Sequence, residues 1–221
     1  PNRLARAYYS GDSAEVGFLL KTVRDRIPHA RWHAVGVSLG GNALLKYLGE
    51  HHEDTTWLTA CAGVSVPLDL VACGKTLSTG FFNRKVYTGH FLKTLKHKVL
   101  EKAHRYPGAI DVMRIAHARD LRDFDDAYTA PMHGFRNALD YWTRASSKPW
   151  LPQISVPTLV LNALNDPFIP ASALPKPDEC SSSILLHQPT DGGHAGFPTG
   201  AFPAHLGWLP QRLGRFFETG L

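Results

Sequence analysis

Apolar residues recur along the chain with two different periods, and these periods predict both strands and helices. Four short apolar runs, rich in β-branched residues, have the length and composition of buried strands. The runs cover 31–37, 57–66, 156–163 and 183–187. Around them, apolar residues recur every three or four positions, as in helices with one buried face. The combination predicts an α/β protein with a mostly parallel sheet flanked by helices.

Three helices are predicted around these strands. The first covers 12–26, with Asp12 as its cap and Pro28 as its stop. We expect the buried stripe of this helix to be Val16, Leu19, Leu20 and Val23. The second covers 39–49, directly after the first strand, and ends on a glycine. The third covers 202–221 and closes the chain.

The segment between the second and third strands, residues 67–150, is helical in pattern and too long for a simple crossover. We interpret it as a helical cap, inserted above the strand ends between two core segments, 1–66 and 151–221. Aromatic side chains of this segment are candidates for lining an acyl pocket, although each taken singly is more often an ordinary core residue. The candidates are Phe81, Phe82, Tyr87, Phe91, Tyr141 and Trp142.

Ser38 lies between a predicted strand and a predicted helix, in the stretch VGVSLGGN. Gly36, Ser38 and Gly40 match the G-x-S-x-G pattern of a nucleophile elbow. The pattern alone is common, and a glycine-rich turn with an incidental serine is the alternative. The order strand, serine, helix favours the nucleophile. We expect both glycines to be required because the strained turn can close only if they lack bulk.

A serine hydroxyl needs a base to take its proton and a third group to orient that base. Asp166 follows the third predicted strand, and His194 lies on the loop TDGGHAGF beyond the fourth. The order Ser, Asp, His is that of the hydrolases with this elbow. All three residues follow strand ends, where open α/β sheets build their sites. Asp191 is the rival acid, and we interpret it as a turn residue.

The other histidines do not form a metal site in the sequence. His187 lies within the fourth predicted strand and is expected to be packed. His90, His97 and His104 are spaced by seven residues, or about 10 Å along a helix, so one ion cannot bind all three. We expect these three on the surface, and we expect neither a metal nor a cofactor.

The sequence resembles the YheT-like branch of the α/β-hydrolases. The matching stretches are GVSLGGNALLKYLGE, YPGAID, LRDFDDAYTAPMHGFRNALDYW, PTLVLNALNDPFIP and GGHAGF, in the family's order and over nearly the whole chain. The resemblance implies an α/β-hydrolase fold with Ser38 as nucleophile, Asp166 as acid and His194 as base. It also implies activity on carboxylic esters, and the eukaryotic relatives act on phospholipids or transfer medium-chain acyl groups to alcohols.

One departure from this family concerns the start of the chain. The fold normally places several strands and a helix before the elbow, and these do not fit into 30 residues. Because the chain also opens on Pro1, we expect that an N-terminal segment is absent. The strand before Ser38 would then be an open edge, covered by an N-terminal fragment or by a second copy. The Leu39 backbone N–H would be one oxyanion donor, and the second donor would lie in the absent segment.

Composition narrows the class of protein. Hydrophobic and charged contents of 43% and 19% are ordinary for a globular protein. No apolar run reaches about 18 residues, and three widely spaced cysteines suit a reducing compartment, so a cytoplasmic location is predicted.

The net charge of +5 is concentrated in the amphipathic stretch HFLKTLKHKVLEKAHR. We interpret it as a solvated basic face, with contact to an anionic membrane as the alternative; no nucleic-acid-binding motif accompanies it.

These observations predict a serine hydrolase that cleaves short- to medium-chain carboxylic esters through an acyl-enzyme on Ser38. Its substrate would be a small-molecule ester or a lipid. Acyl transfer to an alcohol and phospholipase-type activity are alternatives with the same nucleophile. A catalytically impaired fragment, or a binding half without turnover, is the alternative from a different class.

Overall fold

The computed structural model describes residues 3–78 and 89–221, which form two compact units. An α/β core unit comprises Ser10–Asp69 and Ala145–Leu221, and a helical unit comprises Pro1–Tyr9 and Leu70–Arg144. The second part of the helical unit falls inside the predicted cap, 67–150. Residues 1–9 belong to the helical unit, whereas the sequence analysis includes them in the core segment 1–66. The placement of the cap above the strand ends stays a prediction.

The core unit contains a parallel sheet, as the apolar runs predicted. Its strands in the described residues are β1 (Trp32–Val37), β2 (Leu58–Val64), β3 (Thr158–Leu161) and β4 (Ile184–His187). They pair in the order β1-β2-β3-β4, and each neighbouring pair is parallel. All four carboxyl ends therefore lie at the same edge of the sheet.

Helices lie before, between and after these strands in the chain. In chain order the described helices are α1 (Ser13–Arg26), α2 (Leu39–His51), α3 (Leu70–Ser78), α4 (Gly89–Arg105), α5 (Val112–His117), α6 (Leu121–Phe124), α7 (Ala130–Met132), α8 (Ala138–Ala145) and α9 (Trp208–Thr219). Successive residues of the strands face two different apolar clusters, because side chains alternate along a strand. Cys61 and Val160 pack with α2, and their neighbours Ala62 and Leu159 pack in the cluster that contains Phe216 of α9. Both faces of the sheet are thus covered, as expected for parallel strands.

The predicted buried stripe of α1 is only half right. Val16 and Leu20 pack against the core, but Leu19 and Val23 are 55% and 42% exposed. The helix meets its neighbour α2 at Gly17, where an added Cβ would lie 2.5 Å from the Tyr47 ring. This close approach turns the Leu19 and Val23 side of α1 outward.

The predicted capping of the first helix and the predicted start of the last helix differ from the structure. Asp12 stands at the N-cap of α1 but makes no side-chain capping hydrogen bond there. The neighbouring Ser13 hydroxyl instead donates to Glu50 of α2. The last helix starts at Trp208 rather than at residue 202, because a bridge between Thr199 and His205 occupies the preceding turn.

The basic stretch forms α4, whose Leu92 and Val99 are buried, as is typical of an amphipathic helix. Two of its lysines bond to backbone carbonyls of the helical unit: Lys96 donates to Ala116 O and Lys102 to Leu4 O, both at 2.8 Å. The remaining cations of the stretch, Lys93, Lys98 and Arg105, are exposed. Contact of this face with a membrane stays a prediction. Within the described part of the chain, no helix is both long and apolar enough to cross a bilayer.

The strand before Ser38, β1, lies at an edge of the described sheet. Ala34 and Gly36 are buried, whereas Val35 and Val37 are each 46% exposed. An apolar edge strand offers unpaired backbone groups and apolar side chains to any other strand. We propose that further polypeptide, an N-terminal segment or a second copy, covers this edge in the complete protein.

This proposal predicts that the 221-residue chain alone self-associates. Light scattering should give a mass above the 24.4 kDa of one chain. Val35→Lys should shift the distribution toward the monomer, since a charge on an edge strand opposes pairing. Val112 is a valine of similar exposure (43%) in the helical unit, and Val112→Lys should leave the distribution unchanged. A stable monomer of the unmodified chain would contradict the proposal.

Candidate active site

Ser38 occupies the turn that joins β1 to α2. Its backbone angles, φ 51° and ψ −122°, are strained for any residue other than glycine. The strain is held by the elements on either side. The Ser38 N–H donates to Val64 O at the end of β2 (2.8 Å), and its carbonyl accepts from the Asn42 N–H (3.1 Å) in the first turn of α2. The serine is therefore fixed at the carboxyl end of the sheet.

The turn requires glycine at two positions, and only one of them was predicted. A Cβ at Gly36 would lie 2.5 Å from the Gly41 Cα, so Gly36 cannot carry a side chain. A Cβ at Gly40 would meet nothing within 4 Å, so the expectation for Gly40 was wrong. The second required glycine is Gly41, where a Cβ would lie 2.5 Å from Val66 Cγ2. The backbones of Gly36 and Gly41 thus approach each other closely at the turn where α2 follows β1.

Three side chains that follow strand ends form one chain of hydrogen bonds. His194 Nε2 lies 2.9 Å from Ser38 Oγ, and His194 Nδ1 lies 2.8 Å from Asp166 Oδ2. With its proton on Nδ1, donated to the carboxylate, the imidazole has Nε2 available to accept from the serine hydroxyl. This is the geometry that a base needs if it is to take a proton from Ser38.

Burial differs along this chain of hydrogen bonds. The Asp166 side chain is fully buried, whereas 21% of the His194 side chain is exposed. A buried carboxylate is stable only when it is hydrogen-bonded. Asp166 Oδ1 accepts from the Phe168 N–H (2.9 Å), while Oδ2 faces His194. The Phe168 ring also stands edge-on to the imidazole, with 4.6 Å between centroids.

The rival acid, Asp191, is engaged elsewhere in the loop. Its Oδ1 accepts from Asn165 Nδ2 (3.0 Å) and its Oδ2 from the Thr190 hydroxyl (3.1 Å). The structure therefore pairs His194 with Asp166 and gives Asp191 a role within the turn.

Three residues that the sequence analysis did not single out also contact this region: Ser65, Asn165 and Phe168. Of these, only Asn165 had a signal in the sequence, as an Asn-Asp pair at a predicted strand end.

Leu39, proposed to supply an oxyanion donor, is the first residue of α2. The N–H groups of a helix's first turn have no carbonyl partner within the helix. The positive end of the helix dipole also favours an anion at this position. The Leu39 amide therefore has the chemistry of an oxyanion donor. The location of a second donor stays a prediction.

The six aromatic candidates for an acyl pocket fall into three groups. Phe81, Phe82 and Tyr87 lie outside the described residues. Phe91, on α4, is 42% exposed. Tyr141 and Trp142, on α8, are buried inside the helical unit: the Tyr141 ring packs against Tyr9 with 5.8 Å between centroids, and Trp142 Nε1 donates to Asp125 (2.8 Å). A role of these residues in substrate binding stays a prediction.

Four further histidines lie where the sequence analysis expected them. His90, His97 and His104 are all exposed on α4. His187, the last residue of β4, accepts from Arg212 Nε at 3.0 Å. Burial, together with the charge of Arg212, lowers the pKa of His187. His187 is therefore packed between Arg212 and Trp208.

Comparison with known proteins gives consistent matches. A family model described as the alpha/beta hydrolase fold matches residues 13–201. The chain is 34% identical to YheT of Escherichia coli over 223 residues, covering all of this chain and 65% of that protein. It is 29% identical to the human phospholipase ABHD3 over 214 residues, covering 96% of this chain and 52% of that protein. The chain thus spans about half to two thirds of the length of these relatives.

Among solved structures, an alpha/beta fold family hydrolase from Bacillus anthracis matches with a TM-score of 0.52. The match covers 97% of this chain and 77% of that one, at 13% sequence identity. At this identity the likeness supports the fold alone.

The glycine geometry predicts opposite outcomes for two adjacent substitutions. Gly41→Ala should lower the free energy of unfolding by about 1–3 kcal/mol, because its methyl group clashes with Val66. Gly40→Ala should leave it unchanged or raise it by up to about 1 kcal/mol, since alanine favours a helix and meets no atom there. Urea denaturation of the two variants measures both values. Equal losses would contradict this account of the turn.

Proposed function

Because the chain belongs to the α/β-hydrolase family, in its YheT-like branch, we propose that it is a serine hydrolase that cleaves carboxylic esters. The observation that carries this proposal is the continuous hydrogen bonding from Asp166 through His194 to Ser38. This arrangement activates a serine for attack on a carbonyl carbon. Membership in the family supports the fold, whereas the proposed reaction is inferred from the arrangement of the three side chains.

In the first half of the reaction, Ser38 Oγ attacks the ester carbonyl while His194 Nε2 takes the hydroxyl proton. The Nδ1–H bond to Asp166 orients the imidazole and stabilises the imidazolium. The carbonyl oxygen becomes an anion, and the Leu39 N–H donates to it. When the C–O bond to the alcohol breaks, His194 returns the proton to the departing alcohol oxygen. The acyl group then remains on Ser38 as an ester.

In the second half, water attacks the acyl-enzyme. His194 Nε2 takes a proton from the water, and the second tetrahedral intermediate forms. When this intermediate collapses, the C–Oγ bond breaks, His194 returns the proton to Ser38 Oγ, and the free acid leaves. An alcohol in place of water would give a new ester by the same steps. Hydrolysis and acyl transfer therefore differ only in which acceptor reaches the acyl-enzyme.

We propose a short- to medium-chain acyl ester, or a lipid ester, as the substrate. The name of the phospholipase relative supports an ester of the lipid type. Phospholipase-type activity and acyl transfer to an alcohol use the same three residues, so both belong to this proposal. An assay with butanol present distinguishes the acceptors, since hydrolysis releases only free acid and transfer yields a butyl ester.

The direct test is hydrolysis of p-nitrophenyl esters by the full-length protein. Ser38→Ala should lower kcat by roughly 10⁴-fold or more, because the nucleophile is removed. Ser183→Ala is the matched control, since it removes a hydroxyl at the opposite end of the sheet, just before β4. This control should retain activity. Unchanged turnover in Ser38→Ala would exclude the mechanism, and an inactive unmodified protein would favour the non-catalytic alternative.

A further inference from the structure

The loop that carries His194 follows β4 and has unusual backbone angles. Gly193 and Ala195, on either side of the histidine, both have φ near 61°, and Phe197 has φ 45°. L residues rarely adopt positive φ, so Ala195 and Phe197 hold their conformations only if surrounding contacts impose them. The imidazole must nevertheless stay 2.9 Å from Ser38. The loop therefore needs anchors close to the histidine.

One anchor lies immediately before His194. The Asn165 side-chain oxygen, Oδ1, accepts from the N–H groups of both Gly192 (3.0 Å) and Gly193 (2.9 Å). The Asn165 side-chain nitrogen, Nδ2, donates to Asp191 Oδ1 (3.0 Å). One amide side chain thus makes hydrogen bonds to three successive residues of the loop. Because Asn165 directly precedes Asp166, the same turn holds both the acid and the loop of the base.

A second anchor lies immediately after His194. The Ala195 N–H donates to Ser65 Oγ (2.9 Å). Ser65 follows β2, is fully buried, and has φ 50°. Its own N–H donates to Leu161 O of β3 (2.7 Å), which fixes the serine to the middle of the sheet. Because Ser65 is fully buried, this part-buried hydrogen bond is partly shielded from water, and its loss leaves the Ala195 amide without this acceptor.

We propose that Asn165 and Ser65 are positioning residues that hold His194 between Ser38 and Asp166. Neither side chain contacts His194 in these hydrogen bonds. Asn165 binds the backbone just before the histidine, and Ser65 binds the backbone just after it. The inference rests on the proposed function, since His194 is positioned here for its role as the base. Misplacement of a catalytic group by about 1 Å can lower a rate by roughly 100-fold, so two side chains outside the reacting set can control turnover.

The hydrogen bonds of Asn165 allow a test by exchange of partners. Asn165→Asp keeps an acceptor for the two glycine amides. It replaces the donor to Asp191 with a second carboxylate, which repels the Asp191 carboxylate. In the double variant Asn165→Asp with Asp191→Asn, the donor lies at position 191 and the acceptor at 165, so all three hydrogen bonds can form again. Asn165→Ala removes all three. If the hydrogen bonds position His194, adding Asp191→Asn restores what Asn165→Asp alone loses.

We expect Asn165→Ala and Asn165→Asp each to lower kcat by roughly tenfold to a hundredfold, with KM within about twofold of the unmodified value. The double exchange should recover most of kcat. Ser65→Ala and Ser65→Gly both remove the acceptor, and Ser65→Gly also relieves the positive φ, so it serves if the alanine variant folds poorly. Gln188→Ala is the matched control: its amide bonds to Pro175 O, not to the histidine loop, and kcat should not change.

A measurement independent of catalysis separates this inference from the proposed function. Amide hydrogen exchange at Gly192, Gly193 and Ala195 should be at least about fivefold faster in the variants that lose their anchor. The double exchange should restore protection at the glycines. If the unmodified protein is inactive but exchange responds in this way, the proposed function fails and the anchoring stands. Unchanged exchange, or in an active enzyme an unchanged kcat in Asn165→Ala, overturns the inference.

Discussion

Ser38 and His194 are 156 positions apart in the chain, and the parallel pairing of the strands brings their side chains within 2.9 Å. Because β1, β3 and β4 run in the same direction, the residues that follow them emerge at one edge of the sheet. Ser38, Asp166 and His194 each follow one of these strands. The remaining features of the site adjust orientation, but the sheet determines which residues can meet.

The strained turn at Ser38 depends on the same pairing. The positive φ of a non-glycine residue persists only where neighbouring contacts over-determine it. At Ser38 these contacts are the hydrogen bond to Val64 O and the close approach of Gly36 to Gly41. Ser65 has a similar φ and hydrogen-bonds to β3. Two strained serines thus follow adjacent strands: one is the proposed nucleophile, and the other anchors the loop of the proposed base.

The sequence predicted the strands, the elbow and the three site residues because each has a local signature: an apolar run, a motif and a fixed order along the chain. It failed where the answer depends on distant contacts. Whether Leu19 is buried depends on how α1 meets α2, which the helical period does not encode. Gly41 is required because of Val66, which lies in the loop after β2. Ser65 anchors a loop 130 residues away, through a hydrogen bond that leaves no pattern in the sequence.

The central claim is that His194 activates Ser38, and covalent labelling with a fluorophosphonate tests it most directly, because the reagent reacts with activated serines whatever the natural ester is. Mass spectrometry of the labelled protein should place the adduct on Ser38. Labelling should be slower by roughly 10³-fold or more in His194→Ala, since an unassisted hydroxyl is a weak nucleophile. A label on another serine, or an equal rate of labelling without His194, would contradict the account.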